Sequence, residues 1–304
     1  MDNAAMPVNP FTPEESTEAT DGQLVADALS GSQTALESLV ARHQPWIYNL
    51  AFRMVMVRED AEDVTQEILV KVITKLASYD PKKGAFRTWL YRIVTNHVVN
   101  MKTRGYEAAI TTLDAYYSFV TQVPDQDPDA SPETQLIISD LAIGCVMGTV
   151  LCLERTQRLA FILAIAFGVT DGMGGEILGL SRAAFRKTLS RARAKLHEYM
   201  NGNCSLVNPE APCRCRKKVR GFIESGAYSS DRIFFHEPNQ PRLGELVGEK
   251  IERFEAEVYA DYVRLFREHP FYAPPGATGW LRELLERPDF KEIFQLDEPR
   301  GTTP

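Results

Sequence analysis

From Leu24 through Val99 apolar residues return at helical spacing, with breaks near Gly31, Glu59 and Pro81. A three-to-four-residue period lines such side chains along one stripe of a helix, so the stretch predicts a compact bundle of helices. Strand signals are scarce, and the best short candidate is "DRIFFHE", Asp231–Glu237. The fold class that follows is all-α. After the first block, "QVPDQDPDASPETQ" combines prolines and acids with almost nothing apolar, the composition of a flexible acidic linker. A second helical block runs from Leu136 to about Met200. Beyond Asn201 the character changes to Cys, Pro and Gly before helical patterning resumes at Gly244.

A formal net charge of -7 on 304 residues would argue against a polyanion partner if the charge were spread evenly. It is segregated instead. Lys82, Lys83, Arg87, Arg92, Lys102 and Arg104 follow one another without an acid between them, as do Arg182, Arg186, Lys187, Arg191, Arg193 and Lys195, and a third basic run spans Arg214 to Arg220. Acid gathers at Glu59–Glu67 and between Asp125 and Asp140. The N-terminus lacks the basic flank and apolar core of a secretory signal, and no window offers the ~20 apolar residues of a membrane span. A cytoplasmic protein is expected, and five cysteines without a signal peptide do not suggest a disulfide scaffold.

In "FRTWLYRIVTNHVVNMKTR", Phe86 to Arg104, aromatic and branched residues are interleaved with bases and with the amides Asn96 and Asn100, four apart on one face. Such a helix is either an ordinary amphipathic one whose charges face water or one whose bases meet a partner, and its own residues leave the choice open. Trp89 and Tyr91 are open to a second reading, in which they pack the helix onto its own bundle. In "GEILGLSRAAFRKTLSRARAKLHEYM", Gly179 breaks one helix and Ser181 is a natural N-cap for the next. Phe185, Leu189, Ala192 and Leu196 fall on one stripe, leaving a basic outer face that suits either entry into a major groove or a solvated helix at a domain end. The glycines Gly172, Gly174 and Gly175 each disfavour the helix before the turn by roughly 0.5–1 kcal/mol, so that helix is expected to be short or frayed.

These motifs, in this order, resemble the extracytoplasmic-function sigma factors of bacterial RNA polymerase. "ALESLVARHQPWIYNLAFRMV" with "DAEDVTQEILVKV" is similar to the part that docks on the polymerase clamp. "FRTWLYRIVTNHVVNMKTR" is similar to the promoter-melting, minus-ten-reading helix, and "ILGLSRAAFRKTLSRARAKL" to the helix-turn-helix that reads the minus-thirty-five element. The resemblance implies a disordered leader at 1–20, sigma domain 2 at 21–107, an acidic linker at 108–135, sigma domain 4 at 136–200 and a mostly helical, Cys-containing extension at 201–304. It further implies DNA contacts by Arg92, Asn96, Asn100, Lys102 and Arg104, and by Arg182, Arg186, Lys187, Ser190 and Arg191. Asp60, Glu62, Asp63, Gln66 and Glu67 would face the beta-prime clamp from a helix whose Val64, Ile68 and Val72 point inward. The partners implied are core polymerase (beta-prime clamp and beta flap), promoter DNA and an anti-sigma factor; no reaction is catalysed and no cofactor is required. A helix-turn-helix regulator that is not a sigma subunit is the alternative.

The extension departs from that family, whose members usually end soon after the recognition helix. Cys204, Cys213 and Cys215, with His197 upstream, are candidate soft ligands for zinc or copper. Reversible thiol oxidation and a plain structural role remain alternatives, as does, remotely, a metal-dependent enzyme centred on these residues. The bases Arg216, Lys217 and Lys218 beside Cys213 and Cys215 predict a lowered thiol pKa. A chain ending after Met200 is expected to fold.

Overall fold

The breaks in the periodicity are where helices end. In the computed structural model, which describes residues 15–103, 105–109, 112–127, 132–225, Glu283 and Arg287, α1 (Glu15–Leu29) is followed by Gly31 with φ 97°. That left-handed value suits a residue without a Cβ. Next come α2 (Gln33–Val55), α3 (Arg58–Lys75), a 3-10 turn at Leu76–Ser78 and α4 (Phe86–Asn100). Among the described residues the only strand-like feature is an isolated bridge between Cys204 and Cys213, so the architecture is all-α. The strand candidate Asp231–Glu237 lies outside the described residues, as do the helical patterns after Gly244 apart from Glu283 and Arg287.

Of the described residues, 15–52 and 58–101 form one compact unit. Its core joins Ile47 and Leu50 of α2, Val64, Ile68 and Val72 of α3, and Phe86, Leu90, Val94 and Val98 of α4, all buried. Each such side chain contributes at most about 1.5–3 kcal/mol on removal from water. A charged knot lies in the same unit. Asp21 of α1, 0% exposed, meets Arg87 Nε at 2.8 Å, Arg42 Nε at 3.0 Å and His43 Nε2 at 3.2 Å. Burial alone would raise the Asp21 pKa, but hydrogen bonds and positive charge from His43 and Arg87 outweigh it and hold the carboxyl below its ordinary range.

The second unit takes in 53–57 and the described residues from 102 to 225. It contains α5 (Gly105–Ala109), α6 (Leu113–Gln122), α7 (Pro132–Leu151), α8 (Arg155–Ile165), α9 (Asp171–Leu178), α10 (Arg182–Asn203) and α11 (Cys215–Glu224). Here the organisation differs from the one read off composition. The stretch assigned to the linker holds α6 and the start of α7, and Thr112 caps α6 by accepting from the Ala115 amide at 3.1 Å. Tyr116, Val120 and Val123 are buried together with Leu141 of α7 and with Val219 and Phe222 of α11. The start of the extension is therefore part of this core, and a chain ending at Met200 would lack two members of it. Backbone contacts tighten the junction: Gln126 N donates to Lys217 O at 2.8 Å, and the Lys218 amine reaches Val123 O and, at 3.0 Å, Asp125. A Cβ on Gly221 would lie 2.7 Å from Pro124 O, so only glycine admits this approach.

A second buried acid fixes α5. Glu107 receives Arg155 Nε at 2.9 Å and Nη2 at 2.7 Å, and Arg158 Nη1 at 2.9 Å. Arg158 also donates to the carbonyls of Met54, Leu151 and Leu153. Burial raises Glu107, and the two guanidiniums outweigh burial and lower it.

Candidate nucleic-acid interface and polymerase-docking face

The amphipathic division of α4 decides which of its residues are open to a partner. Phe86, Leu90, Val94 and Val98 turn inward, and Arg92, Asn96 and Asn100 form an exposed row one turn apart. Lys102 is exposed just past the helix end; Arg104 lies outside the described residues. The Asn100 amide donates to the Asn96 carbonyl at 2.8 Å, which seats its side chain along the row. The two aromatics take the packing reading. Tyr91, 4% exposed, stands edge-on to Trp46 at 5.2 Å, and half-buried Trp89 packs on Phe86 at 5.5 Å and Tyr79 at 5.8 Å. The Phe86 end of α4 has no side-chain cap, and Arg87 joins it to Asp21.

On α3, Asp63, Gln66 and Glu67 are exposed while Asp60 and Glu62 are half-buried, opposite the buried Val64, Ile68 and Val72. The helix presents carboxylates outward while packing inward, as its periodicity predicts. One tie links this acidic face to α4. His97 Nε2 lies 3.2 Å from Glu67 Oε2, and Nδ1 lies 2.7 Å from the Lys71 amine. Since an ammonium only donates, Nδ1 accepts and the ring proton sits on Nε2, facing Glu67.

In the second unit, the Thr170 hydroxyl accepts from the Met173 amide at the start of α9, and Gly179 ends that helix with φ 66°. Ser181 then caps α10 by accepting from Ala184 N at 3.1 Å. The glycines of α9 have a reason beyond propensity. A Cβ on Gly174 would lie 2.3 Å from the Phe185 ring, and one on Gly175 2.8 Å from Leu180 O. They let α10 close against α9, which is eight residues long. Phe185, Leu189, Ala192 and Leu196 are buried, while Arg182, Arg186, Lys187, Ser190 and Arg191 are exposed. Arg186 is lightly tethered to Asp171 at 3.7 Å. Lys195 departs from the outer basic face, donating to Gln157 of α8 at 3.1 Å.

The cysteines are arranged differently from the sequence expectation. His197 is exposed and is not among the residues lining the cavity that Cys204, Cys213 and Cys215 border; Cys145 of α7 takes the fourth place. Among the described residues no group of three or more His, Cys, Asp or Glu side chains could hold a metal ion. The thiol pKa values also run opposite to the expectation. Burial pushes Cys145 up to about 12 and Cys204 up to about 11, and raises Cys215 well above its ordinary value. At Cys213 burial outweighs the lowering by Lys218 and Arg214.

Residues 39–105, which include α3, α4 and most of α2, match the Sigma-70 region 2 family. The chain is 32% identical over 197 residues to an ECF RNA polymerase sigma factor, SigE, of Mycolicibacterium smegmatis, covering 62% of this chain and 73% of that one. It is 34% identical over 188 residues to the RNA polymerase sigma-H factor of Pseudomonas aeruginosa, covering 60% and 95%. The chain belongs to the ECF sigma factors. A solved structure, that of CnrH in complex with the cytosolic domain of CnrY, is also similar, with TM-score 0.42 and 25% identity, covering 60% of this chain and 97% of that one. As a sigma factor the protein acts in transcription initiation with RNA polymerase at promoter DNA, and it is not an enzyme. Sigma factors generally need no cofactor. Among the described residues no helix is long and apolar enough to cross a membrane.

Proposed function

We propose a division of labour in which 21–107 docks on polymerase and opens the minus-ten region while 136–200 reads the minus-thirty-five element. The observation that carries it is the exposed row Arg92, Asn96 and Asn100, on a helix inside the stretch that matches region 2. Arg92, Lys102 and Arg104 contact phosphates, and Asn96 and Asn100 meet the flipped base, because amides can pair with base edges while guanidinium and ammonium groups neutralise backbone charge. The acidic face of α3, Asp60, Glu62, Asp63, Gln66 and Glu67, meets a basic surface of the beta-prime clamp, where charge complementarity speeds and orients docking. Arg182, Arg186, Lys187, Ser190 and Arg191 enter the major groove, with the beta flap as the second contact of that unit. The protein then works in the cytoplasm, where polymerase is.

Run-off transcription with core polymerase tests the division. Arg186→Ala and Arg191→Ala are expected to weaken upstream recognition by roughly 1–3 kcal/mol each. Asn96→Ala is expected to leave upstream binding intact and reduce permanganate reactivity of the melted bases. Equal losses at both steps for all three variants would contradict the assignment.

A further inference from the structure

The bridge between Cys204 and Cys213 joins two residues that each carry a free thiol. Ser205 N donates to Cys213 O at 3.1 Å and Cys213 N to Asn203 O at 3.1 Å, so the two backbones run side by side at this point. Both residues line one cavity, and their side chains therefore leave the bridge on the same side. Each is half-buried. Backbones paired in this way stand about 4.7–4.9 Å apart, and a disulfide spans about 4.4–6.8 Å between Cα atoms, so the pair can be joined without moving the chain. The position has a structural consequence. Cys204 closes the end of α10, its amide donating to Met200 O at 2.8 Å, and Cys213 lies in the loop before α11, packed against the cluster that holds Val219 and Phe222. Cys145 and Cys215 line the same cavity but take no part in the bridge.

We propose that Cys204 and Cys213 are a site of reversible oxidation, closed to a disulfide by a small disulfide such as oxidised glutathione, and that the cross-link fastens the end of α10 to the start of α11. Cys213 reacts first. Burial raises both thiols, and at Cys213 Lys218 and Arg214 work against it. The Cys213 thiolate attacks one sulfur of oxidised glutathione; that S–S bond breaks, one glutathione thiolate leaves, and a mixed disulfide remains on Cys213. Cys204, having given its proton to solvent, then attacks Cys213 Sγ, the mixed S–S bond breaks and the second glutathione leaves. Two protein thiols lose two electrons and two protons, and one glutathione disulfide gains them to become two thiols. Reduced glutathione in excess reverses both steps. The inference stands apart from the promoter-reading assignment, because it is read on the protein alone.

The reduced full chain is titrated in native buffer with mixtures of reduced and oxidised glutathione, and the thiols are mapped by mass after trypsin. Cys204 and Cys213 share the peptide Leu196–Arg214, whereas Cys145 and Cys215 fall in others. The expected product is that one peptide lighter by two hydrogens. Cys204→Ser is expected to stop at the mixed disulfide on Cys213, and Cys213→Ser to lose the cross-link, while Cys152→Ser, off the cavity, closes as wild type does. In the oxidised wild type, amide exchange in α11 should slow at least about tenfold relative to the reduced chain. Circular dichroism checks that the reduced variants fold, and the wild-type mapping stands without them. The proposal is overturned if Cys204 and Cys213 stay reduced in fully oxidised glutathione, if the cross-link includes Cys145 or Cys215, or if it forms only in urea. A glutathione adduct that persists on wild-type Cys213, or exchange in α11 that oxidation leaves unchanged, overturns it equally.

Discussion

The helices α4 and α10, to which the proposal assigns the two DNA contacts, both expose basic residues, and they are fastened by different means. At its start α4 lacks a side-chain cap and is tied by Arg87 to the buried Asp21; near its end His97 reaches Glu67 and Lys71 of α3. The other helix, α10, is set by local covalent geometry: a hydroxyl cap at Ser181, a left-handed glycine at 179, and two glycines whose missing Cβ atoms let Phe185 and the turn close in. The position of the first therefore depends on charge, and that of the second on shape. A helix assigned to strand opening is thereby held through ion pairs to its neighbours, whereas a helix assigned to sequence reading is held by close packing at the turn.

The hardest break in the comparison is at the turn. Gly174→Val puts two methyl groups beyond a Cβ that already overlaps the fully buried Phe185 ring. A loss of about 3 kcal/mol is expected in the second unit. Hydrogen exchange should show lost protection in α9 and α10 with α4 unchanged; equal loss in both units would erase the distinction.

Next in size is Asp21→Ala, which strands Arg87 and Arg42 without their acid. Breaking a fully buried pair costs more, but both guanidiniums retain some access to solvent, so about 2 kcal/mol is expected, confined to the first unit. The pH dependence has a definite sign. The folded Asp21 pKa is lowered from its ordinary value of 3.8, so its contribution is complete above that value and is lost as pH falls through the folded pKa. The stability gap between wild type and variant should be flat from pH 5 to 8 and shrink only in stronger acid.

The smallest effect sharpens the same contrast. Ser181→Ala removes one hydroxyl acceptor from the first turn of α10 and should cost about 1 kcal/mol, independent of pH across the neutral range. Urea melts at two pH values check both parts.

Local periodicity made the helices legible, because it needs no knowledge of partners. The buried stripe Phe185, Leu189, Ala192 and Leu196, the Ser181 cap and the inward Val64, Ile68 and Val72 all follow from residue spacing. Pairings across the chain were not legible: Asp21 and Arg87 stand 66 positions apart. Cys145 was hidden because α7 is apolar on every side, so no face of it stands out. The α9 glycines read as a penalty because their justification, the Phe185 ring, lies across the turn. The basic neighbours of Cys213 suggested an acidic thiol, but burial acts on the same group and is larger. Helix α6 escaped notice because its buried pair, Tyr116 and Val120, is too short a signal beside so acidic a neighbour.

The packing of α11 also decides where this protein can safely be cut. A stop or a fusion joint after Met200 would remove Val219 and Phe222 and bare Tyr116, Val120, Val123 and Leu141. Newly exposed apolar residues of this kind make molecules adhere to one another and to polymerase without regard to sequence. A shortened preparation would then lose activity through self-association and be mistaken for one that has lost a regulator. Placing the joint after Ser225 instead keeps Val219 and Phe222 in that seam.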